Sequence, residues 1–141
     1  MTGWEYENVG LPTDPLQIES ITVTPDPPTR GQADVFTIKA AALADIADGA
    51  YLHVTVKLGL IKLLTKQFDL FSELRGEGGL KLSCSTSDGK NPIPKGDTTL
   101  TLTMDLPKET PQAKFGIDVR GYTVDDDDLL ALKVKVDFMK P

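Results

Sequence analysis

Apolar and polar residues alternate along most of this 141-residue chain, and proline and glycine break the alternation at intervals. Residues 18–24 read Ile-Glu-Ser-Ile-Thr-Val-Thr, a β-branched run that halts at Pro25-Asp26-Pro27-Pro28. Prolines cannot donate to a central ladder, so this cluster predicts a strand ending in a sandwich corner. Phe36, Ile38 and Ala40 alternate with Thr37, Lys39 and Ala41. Past the turn-like Ala47-Asp48-Gly49-Ala50, Leu52, Val54, Val56 and Leu58 alternate with His53, Thr55 and Lys57. Residues 59–71 are ambiguous, because Ile61, Leu64 and Phe68 also fit a helical stripe. Their strand-like neighbours favour a strand bent near Gly59.

After the loop Arg75-Gly76-Glu77-Gly78-Gly79 a short strand is predicted over 80–85, and a second loop over 88–96 carries Pro92 and Pro94. Three further runs alternate cleanly: Leu100, Leu102, Met104 and Leu106; Phe115, Ile117 and Val119; Leu130, Leu132, Val134, Val136 and Phe138. Many short strands with one apolar face, separated by Gly/Pro turns, predict an all-β sandwich of two antiparallel sheets. There is no internal repeat and no linker, so residues 1–141 read as a single domain.

A period of two puts the apolar members of each run on one face. The inward set is Phe36, Ile38, Val54, Val56, Leu58, Phe68, Leu70, Leu102, Met104, Phe115, Ile117, Val134 and Val136. Aromatic residues are only 6% of the chain, so this set is mainly aliphatic. Such a surface suits an apolar slot for acyl chains or a sterol, and it suits an ordinary close-packed core equally well.

Charge narrows the function classes. Fifteen Lys and Arg against 21 Asp and Glu give a net charge of −6. That sign argues against nonspecific nucleic-acid binding, which needs a basic surface to release counterions from phosphates. It also argues against bulk adhesion to anionic membranes. The exception is local: Lys57, Lys62 and Lys66 interleave Leu60, Ile61, Leu63 and Leu64. This pattern fits a transient membrane contact, and it fits snorkelling lysines on a solvated strand equally. The same lysines interrupt the greasiest stretch before it could span a bilayer.

Little catalytic chemistry is on offer. Cys84 would need a base, and the one histidine, His53, lies on the polar register of its strand. Asp125-Asp126-Asp127-Asp128 lacks the alternation and the glycine of a calcium loop. Gly76-Glu77-Gly78-Gly79 lacks the strand-to-helix setting and the lysine of a phosphate loop. No catalytic site, metal site or cofactor is therefore expected. The start Met1-Thr2-Gly3-Trp4-Glu5 has neither a basic region nor an apolar core of a signal peptide. With a single thiol, this favours a cytoplasmic location, or a secreted or vacuolar one if a leader was removed.

Several motifs in order are similar to the ML-domain (MD-2-related lipid-recognition) family. They are Trp4-x-Tyr6-x-Asn8-x-Gly10, the corner Thr24-Pro25-Asp26-Pro27-Pro28, and Asp48-Gly49-Ala50-Tyr51. Val54-x-Val56-Lys57-Leu58-Gly59-Leu60-Ile61 and Arg120-Gly121-Tyr122-Thr123-Val124-Asp125-Asp126 complete the set. Within the family the pattern most resembles the fungal phosphatidylglycerol/phosphatidylinositol transfer proteins, relatives of the Niemann-Pick type C2 sterol carriers. The resemblance implies an immunoglobulin-like sandwich whose sheets splay to admit a lipid: phosphatidylglycerol, phosphatidylinositol or a sterol. It implies no catalysis. It also implies two lost disulfides, with Val9 and Ala131 at one pair of cysteine positions and Phe71 opposite the surviving Cys84 at the other. Two functions stay open at this point: a lipid carrier, and a ligand-free sandwich acting as an interaction module.

Overall fold

The computed structural model describes residues 3–139. Nine strands and one short helix follow one another along the chain. The strands are β1 (Trp4–Asn8), β2 (Leu16–Thr24), β3 (Gln32–Ala42), β4 (Tyr51–Leu58) and β5 (Ile61–Asp69). Helix α1 (Leu70–Leu74) comes next, then β6 (Lys81–Cys84), β7 (Gly96–Leu106), β8 (Lys114–Tyr122) and β9 (Asp128–Asp137). One sheet has the order β1-β9-β8-β4-β5 and the other β2-β3-β7-β6. Every pairing is antiparallel, so the architecture is the expected immunoglobulin-like sandwich.

Residues 59–71 differ from the expected bent strand. The chain reverses at Gly59-Leu60, and β5 returns alongside β4 as a hairpin. Gly59 has φ +61, a left-handed conformation that glycine adopts without the steric cost of a Cβ. A strand of nine residues then ends at Asp69, whose side chain accepts the Ser72 backbone N–H at 2.9 Å and caps α1. Aspartate at this position satisfies one of the helix's unpaired donors, which is why the strand gives way to a helix there. Leu70 therefore does not line a strand face. It opens α1 and is buried, at 3% exposure, with Phe71.

The core is concentrated at the α1 end. Phe71, Ile93 and Leu129 are fully buried, and Leu16, Ala40, Ala42, Ile46, Leu100, Leu130 and Leu132 join them in one cluster. Ile46 and Ile93 exchange backbone hydrogen bonds of 2.8 and 3.0 Å, drawing two loops across this end of the sandwich. Ala40, Ala42 and Ala50 are small residues buried in the same cluster. Between the sheets the backbones draw together at β2 and β9, and α1 ties β4 and β5 to β6. The Val9 N–H donates to the Ala131 carbonyl at 3.0 Å, so these two positions are neighbours. Phe71 belongs to the core cluster and the partly buried Cys84 packs against it.

Candidate functional site

Residues paired across an antiparallel ladder share a face, so the pairings of the first sheet resolve its inner surface into rows. Nearest α1, Phe68, Leu52, Gly121 and Leu130 form one row. The next is Lys66, Val54, Val119 and Leu132. Then come Leu64, Val56, Ile117, Val134 and Tyr6, and finally Ile61, Leu58, Phe115, Val136 and Trp4. The facing sheet offers Ile21, Ile38, Leu100 and Cys84 in one row and Val23, Phe36, Leu102 and Leu82 in another. Asp34 and Met104 follow.

These rows place the thirteen expected residues. Phe36, Ile38, Leu102 and Met104 lie on the inner face of one sheet. Val54, Val56, Leu58, Phe68, Phe115, Ile117, Val134 and Val136 lie on the inner face of the other. Leu70 alone is elsewhere, in α1. Val136 is buried, whereas the remaining eleven stay partly open to solvent. A filled sandwich would bury them. The burial instead falls from the α1 end towards the β4–β5 hairpin, where Leu64 is 50% and Ile61 65% exposed. The inner rows thus form an apolar surface, packed at α1 and where β2 approaches β9 and partly exposed beside β5; this part-exposed surface is the candidate trough.

Aromatic side chains shut the margin at β1. Trp4 stacks on Tyr6 with 5.7 Å between ring centroids and meets Phe36 of the other sheet edge-on at 6.0 Å. The Trp4 indole N–H donates to Asp26 in the proline corner at 3.0 Å. The Tyr6 hydroxyl accepts the Ile21 N–H at 3.2 Å, beside the register shift in β2. Two concavities of about 210 and 290 Å³ lie elsewhere, one around Val9, Arg120 and Leu130, the other around Gly31, Asp105 and Lys108. Neither includes any of the thirteen residues.

The residue that sequence reasoning missed is Lys66. The sequence grouped it with Lys57 and Lys62 as a membrane-contacting or solvated lysine, not as a member of the inward set. The structure keeps it inward, directly across from Val54, with its Nζ 5.0 Å from the centre of the Phe68 ring. An edge strand at an open margin permits this, because the long side chain can lie on apolar surface while its amine reaches water. Among the described residues no carboxylate lies within ion-pair reach of Lys66. Lys57, by contrast, faces outward and pairs with Asp118 at 3.4 Å.

Two other polar groups bear on the chemistry. Asp34 is fully buried on the inner register; one carboxylate oxygen accepts the Thr29 N–H at 3.1 Å and the other has no partner. Burial pushes its pKa above the ordinary 3.8, and the Thr29 hydrogen bond opposes that rise in part. Cys84 sits on the inner row of one sheet, whereas His53 is on the outer face of the other, packed against Tyr51 and Tyr122. The thiol and the imidazole are therefore on different sheets and cannot act as a nucleophile–base pair. Asp126, within the acidic run, has φ +66 and accepts the Tyr51 hydroxyl at 2.7 Å.

The sequence profile of the ML domain matches residues 10–138. The chain belongs to the ML-domain family. A phosphatidylglycerol/phosphatidylinositol transfer protein of Cryptococcus neoformans var. neoformans serotype D is 47% identical to this ML domain over 137 residues, covering 97% of it and 72% of that protein. A protein of the same name from Mycosarcoma maydis is 35% identical over 136 residues, covering 96% and 66%. Among solved structures, a Niemann-Pick type C2 protein from Japanese carpenter ant superposes with a TM-score of 0.64 over 94% of this chain and 98% of that one. At 17% identity that likeness is one of fold.

Proposed function

We propose that this ML domain binds one phospholipid at a time and carries it between membranes, with the acyl chains in the trough and the headgroup at the open margin beside β5. The observation that carries this reading is the set of half-exposed aliphatic rows, which leave apolar surface unfilled between the sheets. Burying a methylene gains about 0.8 kcal/mol. Two acyl chains therefore outweigh the roughly 4–15 kcal/mol cost of immobilising a ligand, even when only partly enclosed. The open side lets the headgroup stay in water while the chains slide in sideways. Lys66 supports a phospholipid over a sterol, since an ammonium at the lip with no carboxylate partner among the described residues matches a phosphate and has no counterpart on a sterol hydroxyl. The names of the fungal relatives agree with an anionic phospholipid such as phosphatidylglycerol or phosphatidylinositol.

Native mass spectrometry tests this directly. Protein extracted gently from a lipid-containing source should carry a phospholipid-sized adduct in a one-to-one ratio, and organic extraction should remove it. Delipidated protein that takes up no phospholipid from a defined mixture would leave the ligand-free interaction module as the better account.

A further inference from the structure

The geometry points to the concavity between residues 9–14 and the outer face of β8 and β9 as a binding site for a cyclic polyol, the hydroxylated ring of a sugar or an inositol. Arg120 pairs with His53 and Ala131, on the register opposite to Val119 and Gly121, so it faces away from the inner rows. The loop is held over this face by local hydrogen bonds. The Val9 N–H donates to the Ala131 carbonyl at 3.0 Å and the Gly10 N–H to the Asn8 side chain at 2.9 Å. The Gln17 amide donates to the Leu11 and Asp14 carbonyls at 3.0 and 2.7 Å. Between loop and sheet lies a concavity of about 210 Å³. Sites for drug-sized ligands run to about 300–1,000 Å³, so this one has room for a single ring.

The chemistry of the walls selects the ligand. Asp14 lines the concavity and is only 4% exposed. One of its carboxylate oxygens accepts the Leu11 N–H at 2.9 Å, and the other has no hydrogen-bond partner among the described residues. Arg120 and Asp128 line the same concavity, and among the described residues their side chains have no hydrogen-bond or ion-pair partner. A guanidinium can only donate and a carboxylate can only accept, whereas a hydroxyl does both. Adjacent hydroxyls on one ring therefore satisfy Arg120 and the two carboxylates together. An anion would meet two negative groups for one positive, and a metal ion would face the guanidinium. Tyr122 adds an apolar wall for the C–H face of the ring. It is already held in place, stacked on Tyr51 at 5.2 Å and edge-on to His53 at 5.6 Å. The site uses none of the thirteen inward residues, and the inference does not rest on the carrier reading.

The test is titration of the full chain with methyl α-mannoside, methyl β-glucoside and myo-inositol, followed through amide chemical shifts, with inorganic phosphate as the anionic control. The wild type is compared with Arg120→Ala and Asp128→Ala, and a melting curve checks that each variant is folded. At least one ring should bind more tightly than phosphate, with shifts centred on residues 9–14, 120–122 and 128–131. Each variant should weaken that binding about tenfold, the scale of a hydrogen bond to a charged group, while melting as the wild type does. Binding of a hexoside assigns a sugar as the ligand, and binding of myo-inositol alone assigns an inositol ring. Affinity that both variants leave unchanged would overturn the proposal. So would phosphate binding more tightly than every ring, or no ring shifting these amides at millimolar concentration.

Discussion

Lys66 and Asp34 are charged residues on inner registers, and each makes a distinct prediction. Lys66 lies beside the open margin, and among the described residues no carboxylate is within ion-pair reach, so on the proposed function a lipid phosphate would be its counter-ion. Lys66→Gln should weaken binding of phosphatidylglycerol by about tenfold, the scale of one hydrogen bond to a charged group. Its effect on lipid-free stability should be within about 0.5 kcal/mol, as for other exposed positions. Displacement titrations showing unchanged affinity would remove Lys66 from the site. Asp34 is buried, with one oxygen unpartnered. Its pKa in the folded state is raised above 3.8, so the folded protein binds its proton more tightly than the unfolded chain does. The stability this gives is fully present below the unfolded pKa and is lost as pH rises through the folded one. Asp34→Asn has no such proton to lose. Urea unfolding across the acid-to-neutral range should show the Asn variant gaining on the wild type as pH rises, with a constant difference at the acid end. A wild type that gains on the Asn variant as pH rises would mean instead that the carboxylate is stabilised in its charged form.

At the scale of elements, α1 and β8 illustrate how the two ends of the sandwich differ. Helix α1 is five residues long and could not persist alone. It holds because Phe71 is completely buried and because Arg75 anchors the turn that follows. That guanidinium reaches Asp48, Glu77, Ser72 and the Gly89 carbonyl. Phe71→Ala should cost about 3–5 kcal/mol in denaturant unfolding, the range for emptying a packed aromatic site. Ile117 on β8 lies in the half-exposed part of the trough. Ile117→Ala should cost clearly less than Phe71→Ala in lipid-free protein, and more once lipid is bound, because bound acyl chains complete its surroundings. Equal costs in the two states would show that Ile117 does not touch the ligand.

For the molecule as a whole, the two ends are held to different standards of packing. One is a filled core; the other leaves apolar surface partly exposed, so on the proposed function a bound ligand should stabilise the protein. A ligand that binds only the folded state adds RT ln(1 + [L]/Kd), about 2.7 kcal/mol at a hundredfold excess over Kd. For a domain of this size the melting temperature should rise by on the order of 5 °C. Thermal shift of delipidated protein against phosphatidylglycerol, phosphatidylinositol, fatty acids and sterols should rank the two phospholipids first. Sterols ranking first would move the ligand assignment within the family.

The sequence by itself determined most of the strands, their alternation and the family. Period-two alternation reports which residues share a face, and twelve of the thirteen residues named from it fall on shared strand registers, whereas Leu70 falls in α1. The motifs behind the family resemblance are largely turn and corner chemistry, which is local and so legible. Gly49 has φ +108 and a Cβ there would collide with Val124; Asn8 accepts the Gly10 N–H; Trp4 ties the proline corner. Only the tertiary structure decided which inward residues are packed and which are open. Leu70 and Leu64 are the same residue type six positions apart, yet one is sealed under a capped helix and the other stands half exposed. Alternation carries no information on how far apart the sheets stand or which strand is an edge. Those depend on contacts between segments distant in the chain, such as α1 with β6 and β2 with β9. Lys66 shows the same limit: its face follows from its pairing with Val54, and a lysine can face inward only because β5 is the outermost strand of an open margin.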